Sequence, residues 1–414
     1  MMADTLVLLP GAVDDWLFEL RQPSSGALAS LLVAPEQQKA KGYYHTLREI
    51  CQQPLTWINT AERIHASRDR LKSVLRGSLS STDSSSIVLT GSGSSFYVGD
   101  CLRLTLQTSL GVPVYSVPAG LILTHGAAAM PPRQPCLVVS FARSGDSPES
   151  DAAVDLLQEH YHHLIITCNS QGKLAKKNQT NPRAWTLTLD DATCDRSLVM
   201  TSSFTNMVWA GRALGALDSI RDYQTATQNL ARLAKQILVK NSAHLSSVGS
   251  QAFRSALYLG SGLRFGAAKE SALKMLEMTS GNVMAFSETY LGVRHGPLSA
   301  VNPDTLIVCF LSSTSQARAY ELDLIRELNR RDLGLQKVIV GQQVPSDIVL
   351  ARDTVVECGG VSSLGDESLP LLDVLVGQLL AFFRCLSLGL KPDCPSRDGI
   401  ISRVVADFPI HRLG

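Results

Sequence analysis

The chain has 414 residues, enough for two or three domains, and its 45% hydrophobic and 18% charged residues give the balance of an ordinary globular protein. Lys and Arg number 38 against 37 Asp and Glu with no dominant basic run, so nothing draws it to nucleic acid or an anionic membrane, and any anion must be gripped locally. Nine cysteines, an odd number, are scattered from Cys51 to Cys394 without a C-x-x-C pair or zinc-type Cys/His spacing, which fits a reducing cytoplasm and no metal.

The opening MMADTLVLLPGAVDD holds a short apolar run, but Asp4 precedes it and Pro10 breaks it, which argues against a signal peptide. Residues 1 to 40 show only a short helix and read as an extension that packs on a neighbour. The segment YYHTLREICQQPLTW has helical spacing and is expected to stop at Pro54. An α/β pattern follows. SIVLTGSGSSF is an apolar strand running into a Gly/Ser loop, and GDCLRLTLQTSL after it is helical. VPVYSVPAG, PCLVVSFARSGDSPES, HLIITCNSQGKL and AWTLTLDD add short apolar runs ending in polar loops, as expected of a parallel sheet covered on both faces. In EHYHH, His160, His162 and His163 read as a solvated helix end rather than a metal cluster. Residues 198–217 and 225–238 read as helices. The first opens on MTSSFTNM, where Thr201, Ser202 and Ser203 either cap the helix or reach a sugar.

The pattern then restarts at ALYLGSGLRFGAAKESALK, with later strands in DTLIVCFLSS, QKVIVGQQV and DTVVECGG. Thr90-Gly-Ser-Gly matches Leu259-Gly-Ser-Gly and Ser140-Phe141 matches Cys309-Phe310, both at an offset of 169 residues, so one α/β unit is duplicated. The apolar run 369–390 approaches membrane-spanning length, yet Asp373, Gln378 and Arg384 inside it indicate a buried packing or subunit-interface helix. The expected organisation is a helical extension over 1–58, α/β domains over 59–222 and 223–392, and a tail over 393–414.

Three stretches carry candidate chemistry. In SFARSGDSPES a hydroxyl-rich turn with Ser144 and Ser147 precedes a helix that starts near Pro148, whose free N–H groups make a phosphate cradle. Ser94 and Ser95, in the Gly/Ser loop of the neighbouring strand, fall at the same carboxyl edge, and Arg143 offers a charge-assisted fork over the anion. The second copy has SSTSQARAY in place of this turn and is expected to have lost phosphate binding. It carries instead ESALKMLEMTSGNVMAFSETYLGVRHGP, where Glu270, Lys274 and Glu277 share one helix face and His295 lies in a Gly/Pro-rich loop.

Taken in order, EICQQPLTW, TGSGSSFYVGD, SFARSGDSPES, ITCNSQGKL, MTSSFTNM, YLGSGLRFGAAKESALKMLEMTSG, RHGPLSAV and DTLIVCFLSS resemble the sugar isomerase (SIS) domain proteins, above all the AgaS-type galactosamine-6-phosphate deaminase/isomerases. The resemblance runs over nearly the whole chain from about residue 43. It implies two tandem flavodoxin-like α/β domains, a phosphorylated amino sugar as substrate, no cofactor, and a homodimer or homotetramer. It gives Ser95, Ser144 and Ser147 the 6-phosphate, with Arg143 beside them. Glu277 becomes the carboxylate that moves the sugar proton, supported by Lys274 and Glu270, and His295 the ring opener, often supplied by the partner subunit. Arg403 stands near the place where the related glucosamine-6-phosphate synthases carry a lysine, and a guanidinium forms no Schiff base. Aldose/ketose isomerisation without ammonia release, and non-catalytic phosphosugar sensing, are the competing readings; retention of both Glu277 and His295 argues against a sensor.

Overall fold

The computed structural model describes residues 11–22, 26–79, 85–132, 135–359, 364–396 and 398–411. The apolar runs pair into two all-parallel sheets. Strands β1 (Ser86–Gly91), β2 (Val114–Pro118), β3 (Cys136–Ala142), β4 (His162–Thr167) and β5 (Ala184–Thr188) lie in the order β2-β1-β3-β4-β5. Strands β6 (Ser255–Leu259), β7 (Met284–Glu288), β8 (Thr305–Phe310), β9 (Gln336–Gly341) and β10 (Thr354–Glu357) lie in the order β10-β9-β8-β6-β7. Reversed, the second order repeats the first, and β6 and β8 start 169 residues after β1 and β3 (255 − 86 and 305 − 136), so the duplication is a property of the fold. Every residue of β1, β3, β8 and β9 is buried, as helices on both faces require.

The two domains share one hydrophobic cluster, which includes Leu47, Trp57, Phe141 and Trp209 of the first half and Phe310 and Leu375 of the second. The apolar helix Pro370–Ser387 is 89% buried inside the chain, so it is an interior packing helix. Its polar residues are all partnered: Asp373 pairs with Arg264, Gln378 accepts from Gln53 Nε2 at 2.7 Å, and Arg384 donates to the carbonyls of Gln251 and Phe253. Helices Ser94–Leu110 and Leu263–Met278, which follow β1 and β6, cross where a Cβ on Gly266 would lie 2.6 Å from the Cys101 backbone nitrogen. Only glycine permits that approach, and it locks the two domains helix against helix.

Four local expectations are corrected. Pro54 does not stop a helix; it occupies the first turn of helix Gln53–Ala66, where a missing N–H costs nothing. His162 and His163 open β4 instead of ending a helix, and His163 is buried, with desolvation pushing its pKa down to about 4. Residues 284–288 form β7, an edge strand inside the stretch read as helix and loop. The N-terminal extension packs on its own chain, with Leu17 and Leu20 buried and Trp16 Nε1 donating to the Cys51 carbonyl at 2.8 Å; the apolar run before Gly11 lies outside the described residues. Helices Gln53–Ala66 and Ile220–Gln236 run through residues 58 and 222, where domain boundaries were expected.

Candidate functional site

The chain leaves β1 for β2 on one side and β3 for β4 on the other, so the carboxyl ends of β1 and β3 form the switch point where open α/β sheets bind ligands. A cavity of about 640 Å3 lies there. On the β1 side the turn passes through Gly93, at φ +56°, and delivers Ser94 and Ser95 to the first turn of helix Ser94–Leu110. On the β3 side Ser144 and Ser147 line the cavity, Ser147 at the N-cap of helix Pro148–Leu157. Ser144 Oγ accepts from the Asp146 N–H at 3.2 Å, which leaves its own proton available to a ligand. The turn is held from below by Asn169 Nδ2, which donates to the Ser144 carbonyl at 2.9 Å, and by the Lys173 N–H on Asp146 Oδ1 at 3.0 Å.

The opposite wall comes from the second domain. Helix Leu263–Met278 presents Lys274 and Glu277, and the close crossing at Gly266 sets Lys274 Nζ 3.0 Å from Ser94 Oγ. The same ammonium lies 2.5 Å from Glu277 Oε2 and 3.3 Å from Glu270 Oε1, the latter an ion pair without hydrogen-bond alignment. Glu270 and Lys274 are fully buried, whereas the Glu277 side chain keeps 23% of its surface. Burial pushes the Glu270 carboxyl up to about 7, with Lys274 opposing and Glu277 adding to the shift. For Lys274 burial works against the charge, but its two carboxylates outweigh it and hold the pKa above the usual lysine value. A buried ammonium clamped on both sides thus fixes one carboxylate, Glu277, at the cavity wall facing the serine turns.

Other expected residues behave differently. The Arg143 guanidinium does not fork over the cavity; it donates to the carbonyls of Leu198, at 3.1 Å, and Arg403, and so ties the C-terminal segment to the cavity wall. Arg403 lines the cavity, but its Nε donates to the Asp195 carbonyl at 2.8 Å and its Nη2 lies 3.5 Å from Cys194 Sγ. Ser202 lies outside the cavity wall, fully buried, donating to the Glu49 carbonyl at 2.7 Å and accepting from Gln52 Nε2. The free N–H groups of its helix are satisfied by the Asp195 carboxylate, which accepts from Thr201, Ser202 and Ser203 at 2.7 to 3.0 Å. His295 is exposed at the end of the short turn Gly292–His295 and does not line this cavity. Sequence reasoning missed Met200, Glu149 and the tail residues Ile401 and Phe408 on the wall. Of these, Glu149 has a local signal, since an acidic residue just behind Pro148 stands in the first turn of helix Pro148–Leu157.

Fold and cavity together define a SIS-domain protein, and residues 81–216 match the family model described as "SIS domain". The chain is 36% identical over 370 residues to the D-galactosamine-6-phosphate deaminase AgaS of Escherichia coli, covering 88% of this chain and 95% of that one. It is 34% identical to the protein of the same name from a Shewanella species, covering 92% and 96%. The solved tagatose-6-phosphate ketose/aldose isomerase of Escherichia coli superposes with a TM-score of 0.80 at 34% identity, covering 86% of this chain and 95% of that one. The chain belongs to the AgaS family of SIS-domain enzymes.

Proposed function

We propose that this enzyme converts D-galactosamine 6-phosphate into D-tagatose 6-phosphate and ammonia. The observation that carries the reading is the clamped Glu277 carboxylate on the wall opposite a hydroxyl-lined helix N-terminus, which separates a proton carrier from an anion cradle. The serines at 94, 95, 144 and 147 take the phosphate through hydroxyls and the N–H groups of helix Pro148–Leu157, helped by the positive end of that helix. With the phosphate held there, the sugar extends toward Glu277.

The open-chain aldose presents C1 as a carbonyl and C2 bearing the amine. Glu277 takes the C2 proton; the electron pair forms the C1–C2 double bond while the C1 oxygen gains a proton. Return of a proton to C1 gives a ketimine at C2, and water adds to it and expels ammonia, leaving the ketose. Ring opening needs a separate acid/base at the ring oxygen, and His295 suits it because an imidazole can both accept and donate a proton through its two ring nitrogens. Because His295 is exposed and off the wall of this cavity, the reading requires the histidine of a second copy to complete the site. The buried Lys274 and Glu270 act as positioning residues for Glu277.

The solved relative named as a tagatose-6-phosphate ketose/aldose isomerase favours a second reading, aldose/ketose isomerisation of tagatose 6-phosphate with no amine and no ammonia involved. A coupled ammonia assay on galactosamine 6-phosphate separates the two. Stoichiometric ammonia and tagatose 6-phosphate are expected; turnover of tagatose 6-phosphate with no ammonia from the amino sugar sinks the deaminase reading.

A further inference from the structure

The duplication that relates the two domains also relates two cavities. A second cavity, of about 580 Å3, lies at the other end of the helix crossing. The first is walled by Ser92, Gly93 and Ser94 after β1 and, from the other domain, by Lys274 and Glu277. The second is walled by Ser261, Gly262 and Leu263 after β6 and, from the other domain, by Thr105 and Thr108. Subtracting 169 from 261, 262 and 263 gives 92, 93 and 94, and from 274 and 277 gives 105 and 108, so each wall residue has its counterpart. Gly93 and Gly262 share the same backbone conformation, φ +56°. It is one place in the fold, built twice.

Its chemistry has been rewritten. The donors that would hold an anion are already taken: the Ser312 hydroxyl donates to Asp366, and the Ser313 N–H to Asp366 Oδ1 at 2.7 Å. Where the first cavity has an ammonium and a carboxylate, the second has the hydroxyls of Thr105 and Thr108, neither bonded among the described residues. Glu367 lines it, also without a partner among the described residues. Arg212 lines it too; its Nε is buried with no acceptor, and its guanidinium lies 5.9 Å from the ring of Tyr223. Hydroxyls and a guanidinium whose Nε has no acceptor suit the hydroxyls of a sugar ring, the carboxylate suits an ammonium, and a phosphate finds its cradle occupied.

We propose that this second cavity binds an unphosphorylated amino sugar, a free hexosamine. Calorimetric titration of the full chain with galactosamine tests it, using the wild type, Thr108→Trp, whose indole projects into the second cavity and takes the place of a wall hydroxyl, Glu367→Gln, and Ser144→Ala, which touches only the first. Binding is expected in the wild type and in Ser144→Ala, absent in Thr108→Trp, and at least tenfold weaker in Glu367→Gln, with the melting temperature of Thr108→Trp unchanged. No binding to the wild type, binding retained in Thr108→Trp, or binding lost in Ser144→Ala overturns the proposal. Loss of binding in Thr108→Trp together with a lowered melting temperature is resolved by Glu367→Gln, whose full retention of affinity also overturns it. None of these titrations depends on turnover, so failure of the proposed reaction in the ammonia assay leaves their outcome readable.

Discussion

At the end of β3, Ser144 and Ser147 face an open cavity, whereas at the end of β8 the backbone N–H groups of Ser312 and Ser313 are bound to Glu321 and Asp366. At the position of Ser95 the second domain has Arg264, fully buried, with its guanidinium on Asp373 and on the carbonyls of Leu311 and Val340. The same strand, turn and helix start can therefore either wait for an anion from outside or be closed by anions from within the chain. In the second domain Glu321 and Asp366 take the N–H groups of the turn, and Asp373 takes the guanidinium of Arg264. A helix N-terminus at the carboxyl edge of a sheet is a binding site only where the fold has not already filled it.

The largest effect expected from breaking this contrast lies in the helix that faces the open cradle. Glu277→Gln should lower kcat by roughly 10² to 10⁴, the usual worth of a positioned acid/base, while the rise in melting temperature caused by substrate persists. A variant with normal kcat would remove Glu277 from the chemistry. Next come the equivalent positions 95 and 264. Arg264→Met should cost about 3–5 kcal/mol in urea unfolding, because it strands Asp373 as a buried, unpaired charge, and Arg264→Met combined with Asp373→Leu should recover most of it. Ser95→Ala should change stability by less than about 1 kcal/mol and act on substrate affinity instead. Equal stability losses at the two positions would contradict the division between an open and a closed cradle. A smaller effect is expected at Ser144→Ala, a rise in KM of about tenfold with kcat nearly unchanged, since the phosphate is held alike in ground and transition states. Ser313→Ala, at the equivalent place in the closed cradle, should leave both constants alone.

The smallest effect is one of pH. Burial raises the carboxyls of Glu49, Glu270 and Asp373 to about 8, 7 and 6. The folded state then holds these protons at a pH where the unfolded chain, with carboxyls near 4, has released them, so stability falls as pH rises from about 4 toward 8. Urea midpoints should be higher at pH 5 than at pH 8, and Glu270→Gln should flatten part of that slope. A midpoint that climbs over the same interval would reverse the assignment.

Much of the fold was legible because its signals are local. Buried parallel strands read as apolar runs, and the offset of 169 residues was visible in two short motifs before any coordinate. β7 escaped because its apolar run, Val283 to Phe286, is only four residues long and belongs to a half-exposed edge strand, with Met284 66% exposed. His163 escaped because the apolar run of β4 begins one residue after it, at Leu164. The placement of the serine turns was readable for the same reason as the strands, since turn, cap and helix start lie within a few residues of one another. Ser202 and Arg143 were not, because what occupies them comes from far along the chain: Glu49 lies 153 residues from Ser202, and Arg403 lies 260 from Arg143. A residue type tells what a side chain can bond, and the tertiary fold decides what reaches it first.

Gly266 has one more consequence. Because the helices of the two domains touch there backbone to backbone, the span from the serine turns to Glu277 is set by main-chain geometry and not by pliable side chains. The cavity is thereby a ruler. On the proposed reaction, a sugar phosphate one carbon shorter, anchored by the same phosphate, is expected to present its reacting carbon about 1 Å or more short of Glu277, a displacement that costs on the order of 10²-fold in rate. Chain length is then measured before any hydroxyl is recognised.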